Sequence, residues 1–284
     1  MALNRRGEMD VKITTLSENT ANHGFVGEWG LSILLEVDGT RILMDTGWGF
    51  SAVYNAQLLG IDLDTIDAIV LSHGHRDHTG GLRDILRRRR TPVNVIAHPD
   101  IWTSKYTHSD KGDEFSGVPF SREALESAGA RFNLSKEPVH ISNNVMTTGE
   151  IPLVSGYEII EENLLVKHGD SLKHDSLADD LALIIKAEYG LVIVLGCAHH
   201  GIVNTVHHAQ RLTNQELVYA VIGGTHLYRA SQERINSTIN DLKDIGVQRI
   251  GVSHCTGFPA SVRLAEEFRE TFFLNNAGMQ FSLP

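Results

Sequence analysis

The residues from Ser72 to Gly81 read Ser-His-Gly-His-Arg-Asp-His-Thr-Gly-Gly and follow directly on the apolar run Ala68-Ile69-Val70-Leu71. From the chain's own His and Asp content, a His-x-His-x-Asp-His run is expected about 0.0025 times by chance, so accident does not account for it. A strand that leaves its sheet and turns into a helix presents side chains at the carboxyl edge, where open α/β sheets bind ligands. His73 and His75 are two apart, and on extended backbone both imidazoles aim to one side, where they can hold one metal ion. Neighbouring Asp77 and His78 must diverge and can reach a second position, while Gly74, Gly80 and Gly81 let the loop turn tightly.

The rest of the chain supplies the frame such a loop needs. Apolar runs of strand length alternate with amphipathic stretches of helix length, which makes the fold class α/β. Strands are predicted at 11–16, 31–37, 41–45, 67–72 and 93–97, with Asp38-Gly39 turning a hairpin between the second and third. Later strands are predicted at 181–187, 191–196, 218–223 and 249–253, and helices at 51–59, 81–90, 121–128, 202–212, 232–245 and 260–272. Residues 99–160 are rich in scattered Gly, Pro, Ser and Asn, and read as an insertion over one edge that could serve as a lid.

Further strand ends carry similar chemistry. Asp45 closes a strand before the motif and could accept a hydrogen bond from one of its histidines. Gly196-Cys197-Ala198-His199-His200 follows another strand, Thr225-His226 a third and Ser253-His254-Cys255-Thr256 a fourth. A lone strand-end histidine is more often structural than a ligand, but convergent donors of one type favour a metal reading. His199 and His254 are candidate ligands on this account, and Cys197 a further one. Divalent zinc is the first choice, with manganese and iron also suited to imidazole and carboxylate. Asp77 and His226 are the candidate catalytic groups, with Thr225 and Thr256 as candidate stabilisers of a developing oxyanion. His200, His207 and His208 read as packing or solvent-facing residues.

Composition removes several partners. The formal net charge is −10, against an electrostatic nucleic-acid footprint, and the run Arg87–Arg90 reads as a solvated helix end. No glycine pattern completes a P-loop or dinucleotide fingerprint. Two cysteines, each near a histidine, suit a reducing compartment better than a disulfide framework. The polar N-terminus with Arg5 and Arg6 suggests neither leader nor anchor, so a cytoplasmic location, no membrane and a small-molecule substrate are expected, with a homodimer left open.

The loop after its strand, preceded by Leu43-Met44-Asp45-Thr46-Gly47, resembles the metallo-β-lactamase-fold superfamily. Glu28-Trp29-Gly30-Leu31-Ser32, Ser72 to Leu82, Gly196-Cys197-Ala198-His199, Gly223-Gly224-Thr225-His226-Leu227 and His254-Cys255-Thr256-Gly257 further resemble the branch named after 7,8-dihydropterin-6-methyl-4-(β-D-ribofuranosyl)-aminobenzene-5′-phosphate synthase. The resemblance implies one domain over 1–284, an αββα sandwich of mixed sheets with helices on the outer faces. It makes His73 and His75 ligands of one metal and Asp77, His78 and His254 ligands of the other. The superfamily pattern adds a histidine before a strand and a bridging aspartate after it. Here 176–180 holds no histidine and Gly196-Cys197 stands where Gly-Asp would, so His199 is taken as the further ligand, with Cys197 and His226 behind it. The expected activity is metal-assisted hydrolysis of phosphate esters or phosphodiesters, using water made acidic by one or two ions, with Asp77 orienting it. The alternatives are the branch's own synthase chemistry, joining a pterin diphosphate to a ribosyl-aminobenzene phosphate, a non-catalytic ligand-binding protein that keeps the pocket, and iron redox chemistry.

Overall fold

Strands that are apolar on both faces must be covered on both faces, and that requirement sets the layering here. The computed structural model describes residues 9–283; Arg5 and Arg6, which supported the expectation of no leader, lie outside them. The chain opens with β1 (Val11–Ser17), β2 (Ser32–Val37) and β3 (Thr40–Met44). The hairpin between the last two turns on Asp38 and Gly39, both at positive φ as a two-residue turn demands. Then come α1 (Ser51–Leu58), β4 (Ala68–Val70), α2 (Arg76–Thr79), α3 (Leu82–Arg88) and β5 (Val93–Ala97). The middle holds β6 (Lys105–Ser109), β7 (Gly112–Phe115), α4 (Arg122–Ser127), β8 (Ala130–Leu134), β9 (Val145–Thr147), β10 (Leu164–His168) and β11 (Ser171–His174). The last stretch is β12 (Ala182–Ala187), β13 (Gly190–Leu195), α5 (Ile202–Thr213), β14 (Val218–Gly224), α6 (Gln232–Ile245), β15 (Arg249–Ser253), α7 (Phe258–Phe268), β16 (Phe272–Leu274) and β17 (Gln280–Ser282).

Two mixed sheets result, a seven-stranded one ordered β17-β1-β2-β3-β4-β5-β8 and a six-stranded one ordered β16-β15-β14-β13-β12-β9. Alternation along each strand divides its side chains between layers. Ile33 and Leu35 of β2 face Leu183, Ile185, Val192 and Val194 of the other sheet, whereas Leu34 turns outward to Ala52, Leu82 and Leu86 under α1 and α3. Ile184 and Ile193 pack against Ile202, Val206, Ile235 and Leu264 of α5, α6 and α7. The fold is therefore an αββα sandwich. Helix α6 shows why such helices form: Ser231 Oγ caps it by accepting from Arg234 N–H, Gly246 ends it at φ +80°, and Ile235, Ile239 and Leu242 line its buried face.

Three departures from the expected elements have physical causes. The helix expected to run to 272 stops at Phe268, because Arg269 turns to positive φ and Phe272–Leu274 joins the sheet as an edge strand. The helix expected from 81 is preceded by the separate turn α2. Residues 99–160 do more than cover an edge. They contribute β8 and β9 to the two main sheets, and β6 and β7 pair with β10 and β11 in a third sheet of four strands. Among the described residues no helix is long and apolar enough to cross a membrane.

Candidate functional site

Parallel pairing brings the strand ends level. β13 pairs Leu195 with Gly223 of β14, and β14 pairs Gly224 with Ser253 of β15, so the loops carrying Cys197, His199, His226 and His254 emerge side by side. From the other sheet, β4 feeds the His73–His78 loop toward the same edge. The two loops touch because residue 196 is glycine: a Cβ there would collide with Ser72 Oγ.

Seven of the sequence-selected side chains fall into two adjoining groups. In the first, His73 Nε2 lies 2.9 Å from His75 Nδ1 and 3.3 Å from His199 Nε2. In the second, His78 Nε2 lies 3.2 Å from His254 Nε2, which is 3.2 Å from Asp77 Oδ2. Cys197 Sγ, 3.1 Å from His78 Nε2, belongs to both groups, within 4.8 Å of a donor set on either side. The imidazoles are all buried.

Three of the donors, His78, His254 and Asp77, are held from behind. Asp45, fully buried, accepts from Ser72 N–H at 2.7 Å and lies 2.6 Å from His78 Nδ1, which leaves His78 Nε2 for the cluster. His254 Nδ1 lies 2.9 Å from Asn19 Oδ1, and Trp29 Nε1–H donates to Asp77 Oδ2 at 2.9 Å. Burial drives the His73 and His199 pKa values well below the usual range, with neighbouring imidazoles adding to the effect, and burial takes His75 down to about 3. Burial opposes the charged form of His78 too, but Asp45 and Asp77 outweigh it and hold it up to about 9. Asp77 is lowered despite its burial, by His78 and His254.

This donor set fits metal ions. Two nitrogens bound to one tetrahedral ion at 2.0–2.1 Å stand about 3.3 Å apart, and the His73–His199 and His78–His254 separations are 3.3 and 3.2 Å. Burial keeps His73, His75 and His199 neutral, so the nitrogens they turn toward one another have no proton to share between every pair, and a cation supplies what is missing.

A cavity of about 300 Å³ opens onto the cluster, walled by Trp29, Trp48, Phe115 and Tyr228, with Arg76 and His226 among its polar groups. The Arg76 guanidinium stacks over Trp48, 4.7 Å from the ring centre. His226 reaches the cavity, with its Nδ1 tied at 2.6 Å to Glu161 Oε1. Glu161 escapes sequence reasoning: it lies just past the irregular 99–160 segment with no motif around it. The structure does not bring Thr225 and Thr256 to the cavity as oxyanion donors. Thr225 Oγ1 donates to Thr256 Oγ1, which donates to the Ser253 carbonyl, so both protons are used inside the wall. His200, expected to pack or face solvent, is buried with its N–H on Asp180.

Residues 30–202 match the family model of the Metallo-beta-lactamase superfamily. The chain is 36% identical to the 7,8-dihydropterin-6-methyl-4-(beta-D-ribofuranosyl)-aminobenzene-5'-phosphate synthase of Methanocaldococcus jannaschii, over 96% of this chain and 97% of that one. Among solved structures, a metal-dependent hydrolase of the beta-lactamase superfamily matches with a TM-score of 0.83 at 26% identity, covering 96% of this chain and 99% of that chain. Zn²⁺-bound PqqB from Methylobacterium extorquens, at 13% identity and a TM-score of 0.59 over 96% of this chain and 100% of its own, shares the fold.

Proposed function

The chain belongs to the metallo-beta-lactamase superfamily, and on that premise we propose that it is a metal-dependent hydrolase of phosphate esters or phosphodiesters, working at a dinuclear centre. The observation that carries the reading is the convergence of donors from both sheets on the floor of one cavity. His73, His75 and His199 would hold one divalent ion and Asp77, His78 and His254 a second, with Cys197 facing both. Such ions supply Lewis acidity, polarising a phosphoryl oxygen and making water acidic enough to attack near neutral pH.

The chain's own groups then have distinct tasks. Asp77, fixed by Trp29 Nε1–H, presents a carboxylate that orients the attacking water. Against the burial that lowers it, Glu161 raises the His226 pKa by accepting from Nδ1–H, so the imidazolium keeps a second proton on Nε2, which faces the cavity and can pass to the leaving oxygen as negative charge develops there. Arg76 on Trp48 places a cation at the mouth for an anionic substrate. The aromatic walls exclude water and receive the organic part of the ester.

The test is elemental analysis of protein purified without added metal, beside a panel of phosphate monoesters, diesters and lactones. The double variant His73→Ala, His75→Ala is expected to lose both bound metal and phosphoester hydrolysis; hydrolysis that survives metal loss would overturn the reading. One observation favours a second reading, condensation rather than hydrolysis: the 36% identity to a synthase runs the length of both chains. Incubation with a dihydropterin diphosphate and a ribosyl-aminobenzene phosphate, followed by mass spectrometry, separates the two.

A further inference from the structure

Lys105 heads the large side chains that the protein buries completely, and no step above uses it. Its ammonium lies 2.8 Å from Asp175 Oδ2 and 2.9 Å from Asp179 Oδ1, both buried. Burial by itself would lower the Lys105 pKa, but Asp179 and Asp175 outweigh it and keep the ammonium charged. A buried ion pair of this kind adds little net stability, because desolvation offsets most of its attraction. What it does supply is a fixed geometry.

That geometry points at one place. The second oxygen of Asp179 accepts from Gly74 N–H at 2.7 Å, and Gly74 is the residue between His73 and His75. A Cβ on Gly74 would stand 2.7 Å from the Ile101 carbonyl, 3.0 Å from Lys105 Cε and 3.2 Å from Asp179 Oδ2, so this turn rests directly on the pair. The hairpin begun by Lys105 grips the same loop again, since Ser116 N–H donates to the Lys105 carbonyl and Arg76 N–H donates to the Ser116 carbonyl. The second donor group is tied elsewhere, Asp77 to Trp29, His78 to Asp45 and His254 to Asn19.

We propose that Asp179, anchored by Lys105 of the four-stranded sheet, is a positioning residue for the His73–Gly74–His75 turn, so that its contact with Gly74 N–H sets the affinity of one metal position and leaves the other unaltered. This rests on the dinuclear reading above. The experiment is zinc titration of the full-length protein against a chromophoric chelator, for wild type, Asp179→Ala, Asp179→Asn and Gly74→Ala. Asp179→Ala is expected to weaken one zinc equivalent by about tenfold to a hundredfold and to leave the second within about twofold. Asp179→Asn keeps an oxygen for Gly74 N–H and should recover most of the loss, whereas Gly74→Ala, which displaces the turn from its support, should reproduce it. Saturating zinc should restore kcat to Asp179→Ala with KM unchanged, which a general loss of structure would not allow.

Equal weakening of both equivalents, or of neither, overturns the proposal. So does an Asn variant as poor as Ala, which would assign the effect to charge rather than to the contact with Gly74. If Asp179→Ala fails to fold, the Asn and Gly74→Ala proteins carry the same comparison. A wild type that takes up fewer than two zinc ions sinks the dinuclear reading itself, and with it this one, an outcome distinct from two tight sites that ignore Asp179.

Discussion

His254 sits at φ +54°, Asp45 at +59° and His226 at +49°, backbone conformations that cost a side chain-bearing residue roughly 1–3 kcal/mol each. Such strain persists only where the surroundings over-determine it. For His254 they do: Glu18 Oε1 accepts its N–H at 2.6 Å, Asn19 Nδ2 donates to its carbonyl at 3.2 Å, and Asn19 Oδ1 lies 2.9 Å from its ring Nδ1. Asn19→Ala should therefore weaken zinc binding by about tenfold to a hundredfold while the far-ultraviolet circular dichroism stays as in wild type. Chelator competition checks it, and an unchanged affinity would remove Asn19 from the orienting shell. Residues of this kind set the limit of what the sequence reveals. His73, His75, Asp77 and His78 were legible because four donors within six residues defy composition, and His254 because it closes an apolar run. Asn19 acts on a residue 235 positions away, and Glu161 on one 65 away, and nothing in the local pattern of either announces the partner.

At the scale of elements, long strands with apolar residues on both faces declared themselves, and the four-stranded sheet did not. Its strands β6, β7, β10 and β11 are four or five residues long and largely open to solvent, so neither alternation nor a continuous apolar run marks them. The end of α7 was misread for the opposite reason: Phe268, Phe272 and Phe273 keep a helix-like apolar spacing after the chain has turned at Arg269 into an edge strand. The buried Lys105 joins that small sheet to the core, and it gives the junction a pH dependence of definite sign. Its pKa is raised in the folded protein, so its contribution is fully present below the unfolded value of 10.5 and is lost as pH climbs through the folded one. Urea unfolding from about pH 9 to about pH 12 should show wild type losing stability more steeply than Lys105→Met, which lacks the titrating group. The variant should also start about 3–5 kcal/mol less stable near neutrality, because two buried carboxylates are left without their cation. Parallel curves would mean that the ammonium is not linked to folding.

Across the whole molecule, the candidate ligands are divided between the two sheets. His73, His75, Asp77 and His78 hang from the seven-stranded sheet, and Cys197, His199 and His254 from the six-stranded one. Each donor group draws on both, with His199 joining His73 and His75, and His254 joining Asp77 and His78. An ion in either position would thus cross-link the halves of the sandwich, and would do so only in the folded state, since residues up to 177 positions apart must meet. Binding to the native state alone stabilises by about 2.7 kcal/mol per site when the free metal is a hundred times its dissociation constant. For a chain of this size each kcal/mol moves Tm by about 2 °C, so loading both positions with zinc should raise Tm by roughly 10 °C over chelator-treated protein in a calorimetric scan. In His254→Ala the sheets would share only the first position, and roughly half of that shift should survive. A wild-type Tm indifferent to zinc and chelator alike would mean that no ion bridges the two sheets, whatever else the cluster binds.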